Sequence, residues 1–266
     1  VRRPPAAGPS PSTTASQTTL AGPWILRSSS VVAQVLVSNS AVVTVTGGGA
    51  AFTDTIGSVL GASFLWSSST PRRVDGLLRQ YQVQRGIGAG TSPAGLRLMQ
   101  PFTAAAEASG GWLVFRLPKE AAVCDDPFLD VLQGLHDAWI GLPDTLIVGR
   151  EWADTVHTIS CRDRVVLRGQ SVRRFRVLRA EVEAGNRMLV LVDRTAVGRL
   201  IGEGEQFGER VKISGESHGR LRYTIDPGLG RPVRATGNGM LTFALESKRR
   251  TQAVRQESVI TLTWAP

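Results

Sequence analysis

The feature that most constrains this fold is the second half of the chain, where strand-like runs follow one another with only short turn sequences between them. Val172 to Glu183 leads through Ala184-Gly185-Asn186 into Met188 to Val197, and Leu200 to Ile213 follows. Leu221 to Ile225 runs into Asp226-Pro227-Gly228, and Val233 to Leu245 turns at Ser247-Lys248-Arg249-Arg250 into Gln252 to Trp264. These runs carry strand signals bounded by turn residues. Consecutive strands joined by short turns pair antiparallel. Glycines interrupt the runs at Gly202, Gly204, Gly208, Gly237 and Gly239, where a missing side chain lets a sheet bulge or bend. The expected fold is mainly β: a strongly curved antiparallel sheet or partly open barrel.

The first half continues the pattern. Trp24 to Val37 and Ala41 to Thr46 read as strands, with Ser38-Asn39-Ser40 as a turn between them. Arg72 to Arg85, Trp112 to Leu117 and Trp152 to Cys161 are further strands, and Val165 to Leu167 a short one. Ala51 to Trp66 is less regular, and Leu96 to Ala108 fits a short helix or an irregular crossing. One helix is predicted, over about 126–141. Asp125-Asp126-Pro127 supplies caps and a first-turn proline, and Phe128, Val131, Leu132, Leu135 and Trp139 form one apolar stripe. Gly141 and Pro143 end it. It is expected to lie on the concave face of the sheet.

A chain of 266 residues, 42% hydrophobic, fits one large β domain or two small ones. Residues 1–22 have a linker's composition, so the β domain is expected over 23–266, with halves of related pattern at 23–118 and 119–266 left open. A tail of this kind becomes ordered by lying along a partner, which nominates Arg2, Arg3, Pro4 and Pro5 as contact residues. Val1-Arg2-Arg3-Pro4-Pro5 lacks the apolar segment of a signal peptide, so either the chain is cytosolic or its numbering starts after cleavage. No apolar run approaches the length of a spanning helix.

The net charge is +9, nearly all from arginine, since lysine occurs only at Lys119, Lys212 and Lys248. Such charge attracts acidic protein faces, anionic lipid headgroups or nucleic acid, and it also follows from arginine-rich codon usage alone. The densest run includes Arg173, Arg174, Arg176 and Arg179, but on a strand these alternate between faces. Phe175 is its one aromatic, so the stacking surface of a nucleic-acid sheet is missing. Arg173, Arg174 and Arg176 therefore stand as candidates for contact with protein or anionic lipid.

Two cysteines, Cys124 and Cys161, allow one bridge. A disulfide there would contribute about 3–4 kcal/mol and imply an oxidising compartment. The alternative is two unrelated buried thiols.

The catalytic motifs fail on context. Gly215-Glu216-Ser217-His218-Gly219 matches a hydrolase elbow, but strands flank it and no histidine follows His218. It reads as a hairpin turn. Gly202-x-Gly204-x-x-x-Gly208 and Gly86-x-Gly88-x-Gly90 lack a following helix to face a phosphate. His136, His157 and His218 are far apart, and no metal or cofactor is expected. Asp154 and His157 are expected to meet as a surface pair without a nucleophile. The aspartates Asp125, Asp126, Asp130 and Asp137 are explained by helix capping.

Gly149-Arg150-Glu151-Trp152-Ala153-Asp154-Thr155, then Ser160-Cys161, resembles a G-x-x-W-x-D-T strand before a cysteine in a poorly characterised group of exported bacterial β proteins. Gly237-Asn238-Gly239 and Gln252 to Gln256 extend the resemblance, which covers about residues 120–264. It implies a periplasmic fold shaped like lipoprotein-carrier half-barrels, and no activity. No lipobox cysteine is present.

Together these readings point to a non-enzymatic extracytoplasmic accessory subunit, periplasmic or extracellular and peripheral to a membrane. It would dock on other protein subunits of a larger membrane complex, a photosynthetic reaction-centre assembly being one example. The alternative is a periplasmic carrier holding a lipid or apolar ligand in the concave sheet.

Overall fold

The computed structural model describes residues 21–26, 32–66, 73–86, 96–106, 113–116, 124, 134–135, 139–162, 164–183, 185–206 and 208–265. Two meanders make up one sheet. The first contains β2 (Val32–Gly47), β3 (Ala50–Trp66), β4 (Arg73–Arg85), β5 (Leu96–Ala106) and β6 (Leu113–Arg116). The second contains β8 (Glu151–Arg162), β9 (Val165–Glu183), β10 (Arg187–Gln206), β11 (Glu209–Asp226), β12 (Arg231–Glu246) and β13 (Thr251–Ala265). The last strand closes back on the first meander, so the order is β6-β5-β4-β3-β2-β13-β12-β11-β10-β9-β8. Every neighbouring pair is antiparallel. A separate ribbon pairs β1 (Trp24–Ile25) with β7 (Thr145–Leu146). The β13–β2 pairing, from Gln252↔Gly47 to Ala265↔Gln34, puts the two expected halves into a single sheet.

The strands are long. β9, β10 and β11 have 19, 20 and 18 residues, against a usual range of about 3–10. Several expected turns therefore lie inside strands. Ser38-Asn39-Ser40 is the middle of β2, and Gly215 to Gly219 is the middle of β11. The turn between β10 and β11 is at Gly208, where φ is 77°. The expected break between Leu167 and Val172 is continuous β9, and 96–106 is a strand. The turn between β9 and β10 is where the sequence puts it, with φ of 82° and 63° at Gly185 and Asn186, while Ala184 lies outside the described residues.

These turn-like residues have a common role. Following the register, Ala41, Ser258, Gly239, Gly219 and Ala196 make one row across five strands on one face. This waist of small side chains separates two apolar clusters on the same face. At one end Phe64, Trp139 and Trp264 meet with centroids 5.6–5.7 Å apart, and Phe102, Phe175 and Tyr223 join the same core. At the other end Val165, Val211, Ile213, Phe243, Leu245 and Val254 form a smaller cluster. The sheet curls towards this face. Arg162 of β8 reaches the Phe243 ring of β12, 4.6 Å from its centroid, although three strands lie between them.

The helix expected over 126–141 is not borne out. Much of that stretch, with Asp125, Asp126, Asp130, His136 and Asp137, lies outside the described residues. Gly134 and Leu135 are helical, and Trp139 N–H donates to the Leu135 carbonyl at 3.1 Å. From Trp139 to Pro143 the chain has no regular secondary structure, and sheet side chains bond two of its carbonyls. Arg173 Nη1 donates to Trp139 O at 2.9 Å and Trp152 Nε1 to Gly141 O at 2.9 Å. Leu135, Trp139, Ile140 and Leu146 are buried in the larger core. Cys124 and Cys161 form a disulfide, Cα–Cα 5.2 Å, which ties the chain before the segment to β8.

Candidate interaction surface

Strand alternation divides the charged residues between the two faces. Asp154 and Arg173 are opposite each other on β8 and β9 and face inward. Arg173 Nε and Nη2 donate to the two Asp154 carboxylate oxygens at 2.7 and 2.6 Å, a bidentate pair with side chains 2% and 6% exposed. The guanidinium also faces the Phe175 ring at 5.6 Å. His157, three residues beyond Asp154, projects from the opposite face, so the expected Asp154–His157 pair does not form. Arg173 is likewise withdrawn from the expected contact surface.

Arg174 and Arg176 are on the outward face, and two more arginines come to them from β11. The register aligns Glu151–Arg176–Asp193–Arg222 in one row and Ala153–Arg174–Thr195–Arg220 in the next. Asp193 is 8% exposed and organises the group. Arg222 Nε donates to its Oδ1 at 2.8 Å, and Arg220 Nη2 donates to Oδ2. Burial pushes the Asp193 carboxyl up, but the hydrogen bonds and charges of Arg222 and Arg220 outweigh it and hold the group below its ordinary value. The hydrogen bond to Asp193 in turn raises the Arg222 guanidinium. Arg176 has a looser ion pair with Glu151, 3.6 Å, both side chains well exposed. Among the described residues no ion pair engages Arg174. These side chains border a recess of about 660 Å³ that includes Arg174, Arg176, Asp193, Thr195 and Arg220.

A second outward recess, about 690 Å³, has Thr44, Thr46, Thr242, Ala244 and Ala253 across its floor, with Arg199, Glu216 and Arg255 around it. Both recesses are on the polar face. The concave face between the sheet and the 139–146 segment is occupied by buried apolar side chains. Among the described residues no three His, Cys, Asp or Glu side chains gather as a metal site would require.

Of the contact residues read from the sequence, Arg2, Arg3, Pro4 and Pro5 lie outside the described residues. Arg174 and Arg176 are brought together, and Asp193, Thr195, Arg220 and Arg222 were missed. Their signal was present in part. Arg220-Leu221-Arg222-Tyr223 alternates charged and apolar residues, which places both arginines on one face. The register that puts that face beside Arg174 has no local signature.

No protein-family model matches this chain. No curated protein matches it significantly. Among solved structures, OccK2 (OpdF) of Pseudomonas aeruginosa aligns over 91% of this chain and 99% of that one, at 8% identity and a TM-score of 0.27. A likeness of that size carries no argument about fold or function.

Proposed function

We propose that this chain is a non-enzymatic extracytoplasmic accessory subunit that docks on other proteins of a membrane-associated complex. The observation that carries the reading is the contrast between the two faces. The concave face is filled by the chain's own Phe64, Trp139, Trp264 and Leu146, whereas the outward face presents an excess of guanidinium groups over a recess. A carrier of apolar ligands would need an apolar cavity of several hundred Å³, and the two recesses of that size described above, among the described residues, are on the outward face. The outward face mixes exposed apolar side chains, among them Val172, Val197, Ile201 and Val259, with charges. It bears Arg174, Arg199, Arg220, Glu216 and Arg255 along the middle of its strands, where each charge at a bilayer midplane costs about 2–4 kcal/mol for arginine. A disulfide forms and persists in an oxidising compartment, which supports placement outside the cytoplasm.

The test is co-purification from native membranes with and without residues 1–22. The truncated chain should keep the circular dichroism melt of the full chain and associate more weakly with membrane-bound protein. Undiminished association would remove the tail from the docking surface, and no association by the full chain would end the reading.

A further inference from the structure

We propose that the recess between β9 and β11 binds a carboxylate-rich segment of a partner protein, with its acidic side chains between Arg174, Arg176 and Arg220. The proposal rests on the docking reading above and names the chemistry of the partner. Four guanidiniums, Arg174, Arg176, Arg220 and Arg222, face two carboxylates, Glu151 and Asp193. The surplus is positive, and it is concentrated at Arg174. Asp193 hydrogen-bonds Arg220 and Arg222 from below and fixes their heads, so less side-chain entropy is lost when an anion arrives.

The spacing suits an extended chain. Arg174 and Arg176 are two residues apart on β9, about 7 Å, the interval between same-side carboxylates of an extended peptide. Arg220 stands two strands away across Thr195, about 10 Å, so one carboxylate over Thr195 is within reach of guanidiniums from both sides. Arginine forks hold carboxylates bidentately, which lysine cannot do.

Two other anionic partners fit less well. A flat bilayer surface does not enter a recess of this kind. Nucleic acid finds no stacking surface, because Trp152 and Phe175 stack on each other at 5.1 Å on the inward face.

The test is a titration of the full chain with a fluorescent peptide of alternating aspartate and alanine. Wild type should bind it, more weakly as salt rises. Arg174→Glu with Arg220→Glu should lose at least tenfold in affinity, with a lower melt because Asp193 loses its Arg220 partner. Arg174→Lys with Arg220→Lys should lose part of it, since charge stays and the fork goes. Arg174→Glu alone changes no ion pair of the fold and serves if the double variant is unstable. Equal binding by wild type and Arg174→Glu would overturn the proposal. So would failure of wild type to bind, or binding to phosphatidylglycerol vesicles in place of the peptide. If the double variant still co-purifies with its membrane partner as wild type does, this site fails while docking stands. A chain that binds the peptide yet associates with no membrane protein leaves this site and removes the docking reading.

Discussion

Arg173 and Arg174 are neighbours in sequence and opposites in environment, and the strand period of two is the whole reason. Arg173 turns inward, where Asp154 and the Trp139 carbonyl use its donors. A buried ion pair contributes little net stability compared with an apolar replacement, but removing one partner leaves a desolvated charge. Asp154→Ala should therefore cost about 3–5 kcal/mol by urea denaturation, and adding Arg173→Met should recover much of it. A single-variant loss near zero would mean that Arg173 reaches water. Asp193 gives a pH prediction. Its folded carboxyl lies below the ordinary value of 3.8, so its contribution is present above that value. The contribution is lost as pH falls through it towards the folded pKa. Asp193→Asn should lower the urea midpoint at neutral pH, and the gap to wild type should narrow below about pH 4. A gap that widens in acid would contradict the assigned hydrogen bonds.

At the scale of elements, composition revealed the strands and misplaced their ends. Gly, Ser and Asn ordinarily mark turns, and three such clusters here sit in mid-sheet because a tight inward curl leaves no room for side chains. Gly237 is the clearest case. A Cβ there would lie 1.9 Å from the Arg220 carbonyl oxygen of the paired strand, so the glycine is required by close approach of backbone. Gly237→Ala should destabilise by about 1–3 kcal/mol, the usual cost of overpacking, measured as a lower thermal midpoint. An unchanged midpoint would show that β11 and β12 can separate there at no cost. The helix expected over 126–141, which is not borne out, is a related case. An apolar stripe at 128–139 has the period of a helix, yet from Trp139 to Pro143 the backbone has no regular secondary structure and takes side-chain donors from Arg173 and Trp152. The contact surface was half legible for a related reason. Alternation within a strand assigns faces, whereas the neighbour of each strand is set by the whole sheet.

At the scale of the molecule, two devices join parts of the chain distant in sequence. The disulfide closes a 37-residue separation, and the chain-entropy model gives it about 4 kcal/mol. Cys124→Ser with Cys161→Ser should lower the denaturation free energy by about that amount, and reduction of wild type should give the same midpoint. The other device is the β13–β2 seam, which joins residues about two hundred positions apart and carries the strand pairing between the two meanders. Pairing so remote must overcome a large loop-closure entropy, so the seam should form late, yet once formed it is central and hydrogen-bonded on both sides. Native-state hydrogen exchange should therefore find β12, β13 and β2 the slowest strands, and β6 and the free edge of β8 among the fastest. If the seam exchanged as fast as the edges, the two meanders would be separate folding units, and the curled single sheet that separates a filled inner face from a charged outer one would not persist in solution.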